Sequence, residues 1–180
     1  MKKILATTIS ALFSFNVLAN ACLVNVEFAN PPQVKHETHK LNENISLEMS
    51  QQLDVQTFGN IKVATNVTCQ KLIGTEYTGS EQEWNNFIGT ARKGLLATGH
   101  KDLKITVFPN DNELFDGKHQ SLEYRFSGER AGNKQLIYNL AVLNKTQNTL
   151  YVFAVSGHEN AKKEIEEEFS RLKKSVQFPI

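Results

Sequence analysis

The spacing of the C-terminal apolar runs narrows most what this chain can become. "QLIYNLAVL" (135–143) and "LYVFAV" (150–155) are strand-like, and only the polar link "NKTQN" joins them. So short a link closes an antiparallel pair but cannot carry a parallel crossover, which needs a dozen residues or more. Both alternating sets of the first run are apolar: Leu136, Tyr138, Leu140 and Val142 on one face, Ile137, Ala141 and Leu143 on the other. A strand covered on both faces belongs in the middle of a sheet. "DLKITVFP" (102–109) and "SLEYRFSG" (121–128) precede these runs, with the loop "NDNELFDG" and the turn "GERAGNK" between elements. The whole segment predicts an antiparallel meander.

Two helices flank it. In "SEQEWNNFIGTARKGLLATG" (80–99), Ser80 and Glu83 have the S-x-x-E spacing of a capping box, in which hydroxyl and carboxylate each satisfy a backbone N–H of the first turn. Trp84, Phe87, Ile88, Ala91 and Leu95 follow at helical spacing, which assigns Trp84 to the core rather than to a ligand platform, and Gly99 is placed to end the helix. At the C-terminus, "ENAKKEIEEEFSRLKKSV" carries the stripe Ala161, Ile165, Phe169, Leu172 and Val176. Glu164, Glu166, Glu167 and Glu168 read as a solvated face, with Glu167 one turn from Arg171.

The N-terminal part is less regular. "MKKILATTISALFSFNVLANA" has the basic start, apolar run and A-x-A end of a secretory leader, so residues 1–21 are expected to be removed and 22–180 to form one exported domain. The only two cysteines, Cys22 and Cys69, both fall in the exported part and predict a disulfide, worth roughly 4 kcal/mol in the chain-entropy account. The alternative is a lipid anchor on Cys22, because Ala21 directly precedes it; against this, Ala19 stands where a lipobox has Leu, and "CLVNVEF" alternates as if a strand began at the cysteine. "NPPQVKHETHK" reads as a break, followed by strand-like "ISLEM", "LDVQTF" and "NIKVATNVTC". In the last, Ile61, Val63, Thr65, Val67 and Cys69 share one face, which turns Cys69 to the core.

Charge and motifs exclude more than they assign. The formal net charge is +1, and loss of Lys2 and Lys3 with the leader brings it to −1, so no overall basic field exists to hold nucleic acid. No segment after the leader reaches the ~20 apolar residues of a spanning helix. His36 and His39 in "HETH", with Glu37 between and His119 or His158 as a distant third, are the metal candidates, but H-E-x-x-H is absent and no metal or other cofactor is expected. Asp111, Asn112, Glu113 and Asp116 suggest calcium by composition, yet they lack the alternate spacing of a calcium loop. Ser156 and His158 stand two apart without a nucleophile elbow, and Asp102 and Glu123 could act as acid and base only if the fold joined them. No catalytic residue is assigned.

From 103 to 178 the order is strand, loop, strand, turn, strand, turn, strand, terminal helix. "LEYRFSG", "LIYNLAVLNKTQNTLYVFAVSG" and "FSRLKKSVQF" resemble the PsbP/Mog1-like superfamily, with "ISLEM" matching its early strand. The resemblance implies an α+β fold, a central antiparallel sheet with flanking helices. Members are mostly accessory or binding proteins, and the fold alone selects no function. The expectation is therefore a periplasmic, non-enzymatic protein that engages another protein, as an immunity or inhibitor protein would. The alternatives are a carrier of a small hydrophobic ligand, using Phe126, Tyr138, Tyr151 and Phe153, and last a hydrolase.

Overall fold

The computed structural model describes residues 24–109 and 114–178. Three strands come first, β1 (Gln33–Lys40), β2 (Ser46–Phe58) and β3 (Ile61–Ile73), followed by helix α1 (Glu81–Ala97). Four more follow, β4 (His100–Val107), β5 (Gln120–Arg130), β6 (Asn133–Asn144) and β7 (Thr149–His158), and then helix α2 (Lys162–Ser175). All seven strands form one sheet in the order β1-β2-β3-β7-β6-β5-β4, every pairing antiparallel. The fold is α+β.

The predicted meander from residue 102 onwards is β4 to β7, with β6 and β7 in the interior of the sheet. β3 and β7 unite the two meanders, Val63 opposite Gly157 through Lys71 opposite Thr149. The β5–β6 turn is two residues long, with Ala131 at φ +50° and Gly132 at φ +78°. Paired left-handed residues give such a turn the twist of its strands, at a steric cost to the alanine.

The helices lie on opposite faces. On one, Ala161, Ile165, Phe169 and Leu172 of α2 and its lead-in pack on Val63, Val67, Tyr138, Leu140, Tyr151 and Phe153. Gly157 makes room for this helix, since a Cβ there would lie 3.2 Å from Ile165 Cδ1 and 2.9 Å from the Lys62 carbonyl oxygen. On the other face α1 packs over Tyr124, Phe126, Ala141, Leu143 and Leu150.

Three expectations need correction. "CLVNVEF" is not a strand among the described residues; Asn25 makes only an isolated bridge to Gln177, while Val24, Val26 and Phe28 pack on the α2 side of the core. The break expected at "NPPQVKHETHK" contains strand β1, eight residues paired in unbroken register with β2. "ISLEM" and "LDVQTF" belong to one continuous strand of thirteen residues, because Ser50, Gln51 and Gln52, which pattern alone assigned to a gap, take ladder positions opposite Cys69, Thr68 and Val67.

Residues 1–21, the expected leader, and Cys22 lie outside the described residues. Cys69 is fully buried and is not a free thiol. No helix among the described residues is long and apolar enough to cross a membrane.

Candidate functional site

The residues singled out for chemistry are not assembled into a centre. In β1, His36 and His39 are three residues apart, an odd spacing that sends them to opposite faces of the strand, so they cannot share an ion. His39 Nε2 instead lies 3.2 Å from Glu37 Oε2. His158 caps the single turn at Glu159–Ala161, its Nδ1 accepting from the Asn160 N–H at 3.0 Å. His119 stands 3.7 Å from Asp116 and edge-on to Phe178. Among the described residues, no three His, Cys, Asp or Glu side chains are grouped to hold a metal.

Asp102 neighbours the Lys101–Glu129 pair at one end of β5, while Glu123 lies six residues further along that strand, roughly 20 Å away at ~3.3 Å per residue. Glu123 is committed to Lys173 at 2.8 Å. Ser156 lies within β7, in register opposite Ile137 and Ala64, rather than on a strand-to-helix turn that would expose a nucleophile. Asp111, Asn112 and Glu113 lie outside the described residues. The aromatic residues proposed for a carrier, Phe126, Tyr138, Tyr151 and Phe153, all fill the core.

What the fold does build is a cleft around α1. Ser80 caps the helix, its Oγ accepting from the Glu83 N–H at 3.3 Å. The Glu83 carboxylate reaches one residue further back than a capping box requires, accepting from the Gly79 N–H at 2.6 Å and the Thr78 hydroxyl at 3.1 Å. α1 is thus fixed at its start, yet none of its residues is fully buried. Trp84, Phe87 and Ile88 are half-buried, and the helix stands on them rather than lying flat on the sheet.

The gap beneath opens on both flanks. One cavity, of about 240 Å³, lies where Trp84 and Phe87 meet Gln70, Leu143 and Leu150. The other, of about 510 Å³, lies where Trp84 and Ile88 meet Gln120 and Leu122. Trp84 lines both. Its ring stands edge-on to Phe87 at 6.1 Å, Phe87 edge-on to Tyr124 at 6.2 Å, and Tyr124 edge-on to Phe126 at 5.6 Å. Edge-to-face contacts of this kind hold rings in fixed orientation. Tyr77 closes one end, its hydroxyl donating to the Gln70 carbonyl at 3.3 Å. Burial, assisted by the Glu83 carboxylate, pushes that hydroxyl above the ordinary tyrosine range, so Tyr77 stays neutral.

Register extends the site beyond the helix. Gln120, Leu143, Leu150, Gln70, Met49 and Glu37 form one transverse row across β5, β6, β7, β3, β2 and β1. α1 covers the β5 to β7 end; no residue of β1, β2 or β3 belongs to its apolar cluster. The remaining half of this face, with Met49 and Leu53 half-buried and Val55 exposed, is covered by no helix among the described residues. Helical period marked Trp84 as apolar-facing, but nothing in the period tells a side chain packed into a core from one that props a helix above a sheet.

No protein-family profile matches the chain, and no curated protein is similar to it in sequence. In structure it is similar to PA94, a Pseudomonas aeruginosa protein of unknown function, with a TM-score of 0.50 and 11% identity over 81% of this chain and 99% of that one. It is also similar to LpqN of Mycobacterium tuberculosis, described as involved in cell envelope biogenesis, with a TM-score of 0.47 and 9% identity over 87% of this chain and 91% of that one. The likeness to PA94 shows the α+β fold of the sheet and its helices, and the fold alone.

Proposed function

We propose that this chain is an exported, non-enzymatic binding protein of PsbP/Mog1-like architecture, and that it grips an apolar side chain of a partner protein in the cleft under α1. One observation carries this reading: a capped seventeen-residue helix with no fully buried residue, standing over two apolar cavities that share one tryptophan. A helix selected only for packing would bury its stripe, as α2 does with Ile165, Phe169 and Leu172. Tryptophan in a desolvated pocket is a common anchor of protein interfaces. The open sheet beside it adds area for docking, and an inhibitor or immunity protein would use such a surface. Export rests on the leader pattern, and a Cys22–Cys69 bridge within the exported chain is part of the same proposal.

A photo-crosslinking amino acid at Asn86 or Thr90, on the rim of the smaller cavity, tests it against the same probe at Lys163 on α2. Cross-linked protein from the rim positions only, lost on Trp84→Ala, is the expected result. Equal capture at Lys163, or none at the rim, counts against the proposal.

The larger cavity favours a second reading, carriage of a small apolar ligand, since about 510 Å³ falls in the range of small-molecule sites. Native mass spectrometry of detergent-free protein separates the two: a bound mass supports carriage, and the bare polypeptide opposes it.

A further inference from the structure

The two edges of the sheet differ. β4 carries a register shift between Lys101 and Lys104, with Asp102 at φ +50°. Such a bulge bends an edge strand away from a flat pairing partner. β1 has no such device: its eight residues run without bulge or proline, and its outer edge has no neighbour among the described residues. A straight edge of main-chain donors and acceptors is a template for another strand.

The sequence of β1 selects which strand. In antiparallel self-pairing about a two-fold axis, opposed residues share both hydrogen-bonding direction and sheet face, so the numbers of every opposed pair sum to an even value. Registers centred between two residues are thereby excluded. Centring on Glu37 sets that carboxylate against itself, which is destabilising. Centring on His36 sets Lys35 against Glu37 of the second copy, twice, with Val34 against Thr38 and Gln33 against His39. Lys35 and Glu37 already form an ion pair along the strand, on the open face of the sheet. In the two-fold arrangement they become a four-membered array of alternating charge.

We propose that the chain pairs with a second copy through β1, antiparallel and centred on His36, to give a continuous fourteen-stranded sheet. The charges that would repel an unrelated strand are in self-complementary order, so this edge is closed to most partners and open to its own copy. The proposal is independent of the cleft.

Solution mass by light scattering, on the mature chain over a range of concentrations, provides the test. A mass twice that of the chain is expected, falling to one copy in Glu37→Lys and in Lys35→Glu, and returning to two in the double variant that exchanges both charges. His36→Cys is expected to cross-link to itself across the axis. Lys35→Cys and Glu37→Cys are not, because each then faces a different residue and lies beyond the ~7 Å Cα separation a disulfide can span. A single-copy mass at every concentration overturns the proposal. So does a dimer that survives Glu37→Lys, or one in which His36→Cys fails to cross-link.

Discussion

The hydroxyl of Thr65 donates to the carboxylate of Glu168 at 2.9 Å, tying β3 to α2 across 103 residues of sequence. Arg171 completes the arrangement with two bonds to the same carboxylate, 2.8 and 2.7 Å, and a third to the Glu27 carbonyl at 2.9 Å. Glu168 is 7% exposed and Arg171 37%. The acidic face expected to lie wholly in water therefore contains a buried member, and Arg171 pairs with Glu168 rather than with Glu167, which faces Lys163 at 3.8 Å.

Glu168→Ala leaves a buried hydroxyl and a half-exposed guanidinium without their acceptor. A loss of about 1–3 kcal/mol in unfolding free energy is expected from charged hydrogen bonds of this kind, read by urea titration. Thr65→Val, which removes one donor and keeps the shape, should cost less.

The same carboxylate predicts a pH dependence. Burial opposes its charge, but the bonds from Arg171 and Thr65 and the Arg171 charge outweigh burial and hold its carboxyl below the ordinary glutamate value of 4.5. A group depressed in the folded state contributes stability that is present above its unfolded value and disappears as pH falls through the folded one. Stability should decline as pH drops below about 4.5, and Glu168→Gln should flatten that part of the profile. An unchanged acid limb in Glu168→Gln would assign the dependence elsewhere.

α1 and α2 should differ in local stability. Ile165 and Leu172 are fully buried, whereas α1 has no buried residue. Leu172→Ala is expected to cost about 2–5 kcal/mol and Leu95→Ala under half as much. Amide hydrogen exchange should show α1 opening well before α2, because little buried apolar surface holds it down.

At the β5–β6 turn, Ala131 occupies a left-handed position that Asn tolerates better. Ala131→Asn should raise stability by about 0.5–1 kcal/mol. Gly157→Ala should lower it by about 1–3 kcal/mol through the contacts with the Lys62 carbonyl oxygen and, less tightly, Ile165. Thermal unfolding of the two variants checks both signs.

Where packing decided structure, pattern revealed it. The two-faced apolar alternation of 136–143 marked the interior strand β6, and Ile61 to Cys69 lay on one face as expected, because burial on a defined side leaves a period in the sequence. β1 left none: seven of its eight residues are exposed, so nothing selected its side chains for alternation, and only backbone pairing makes it a strand. β2 broke its own pattern at Ser50 and Asp54, buried polar residues, the second of which accepts from Asn30 at 3.1 Å through both backbone and side chain. The cleft was illegible for another reason. Its existence depends on the height at which Trp84, Phe87 and Ile88 hold α1, a distance that residue spacing does not encode.

The β3–β7 seam has a consequence for how the polypeptide matures. Residues 61–73 find their second neighbour only in 149–158, after one helix and three further strands have been synthesised. Pairings so distant in sequence form slowly, because a long loop must close before they yield any contact. The middle of the sheet therefore cannot zip shut until β7 has been made, and β1 to β3 wait as an incomplete meander while α1, β4, β5 and β6 are synthesised.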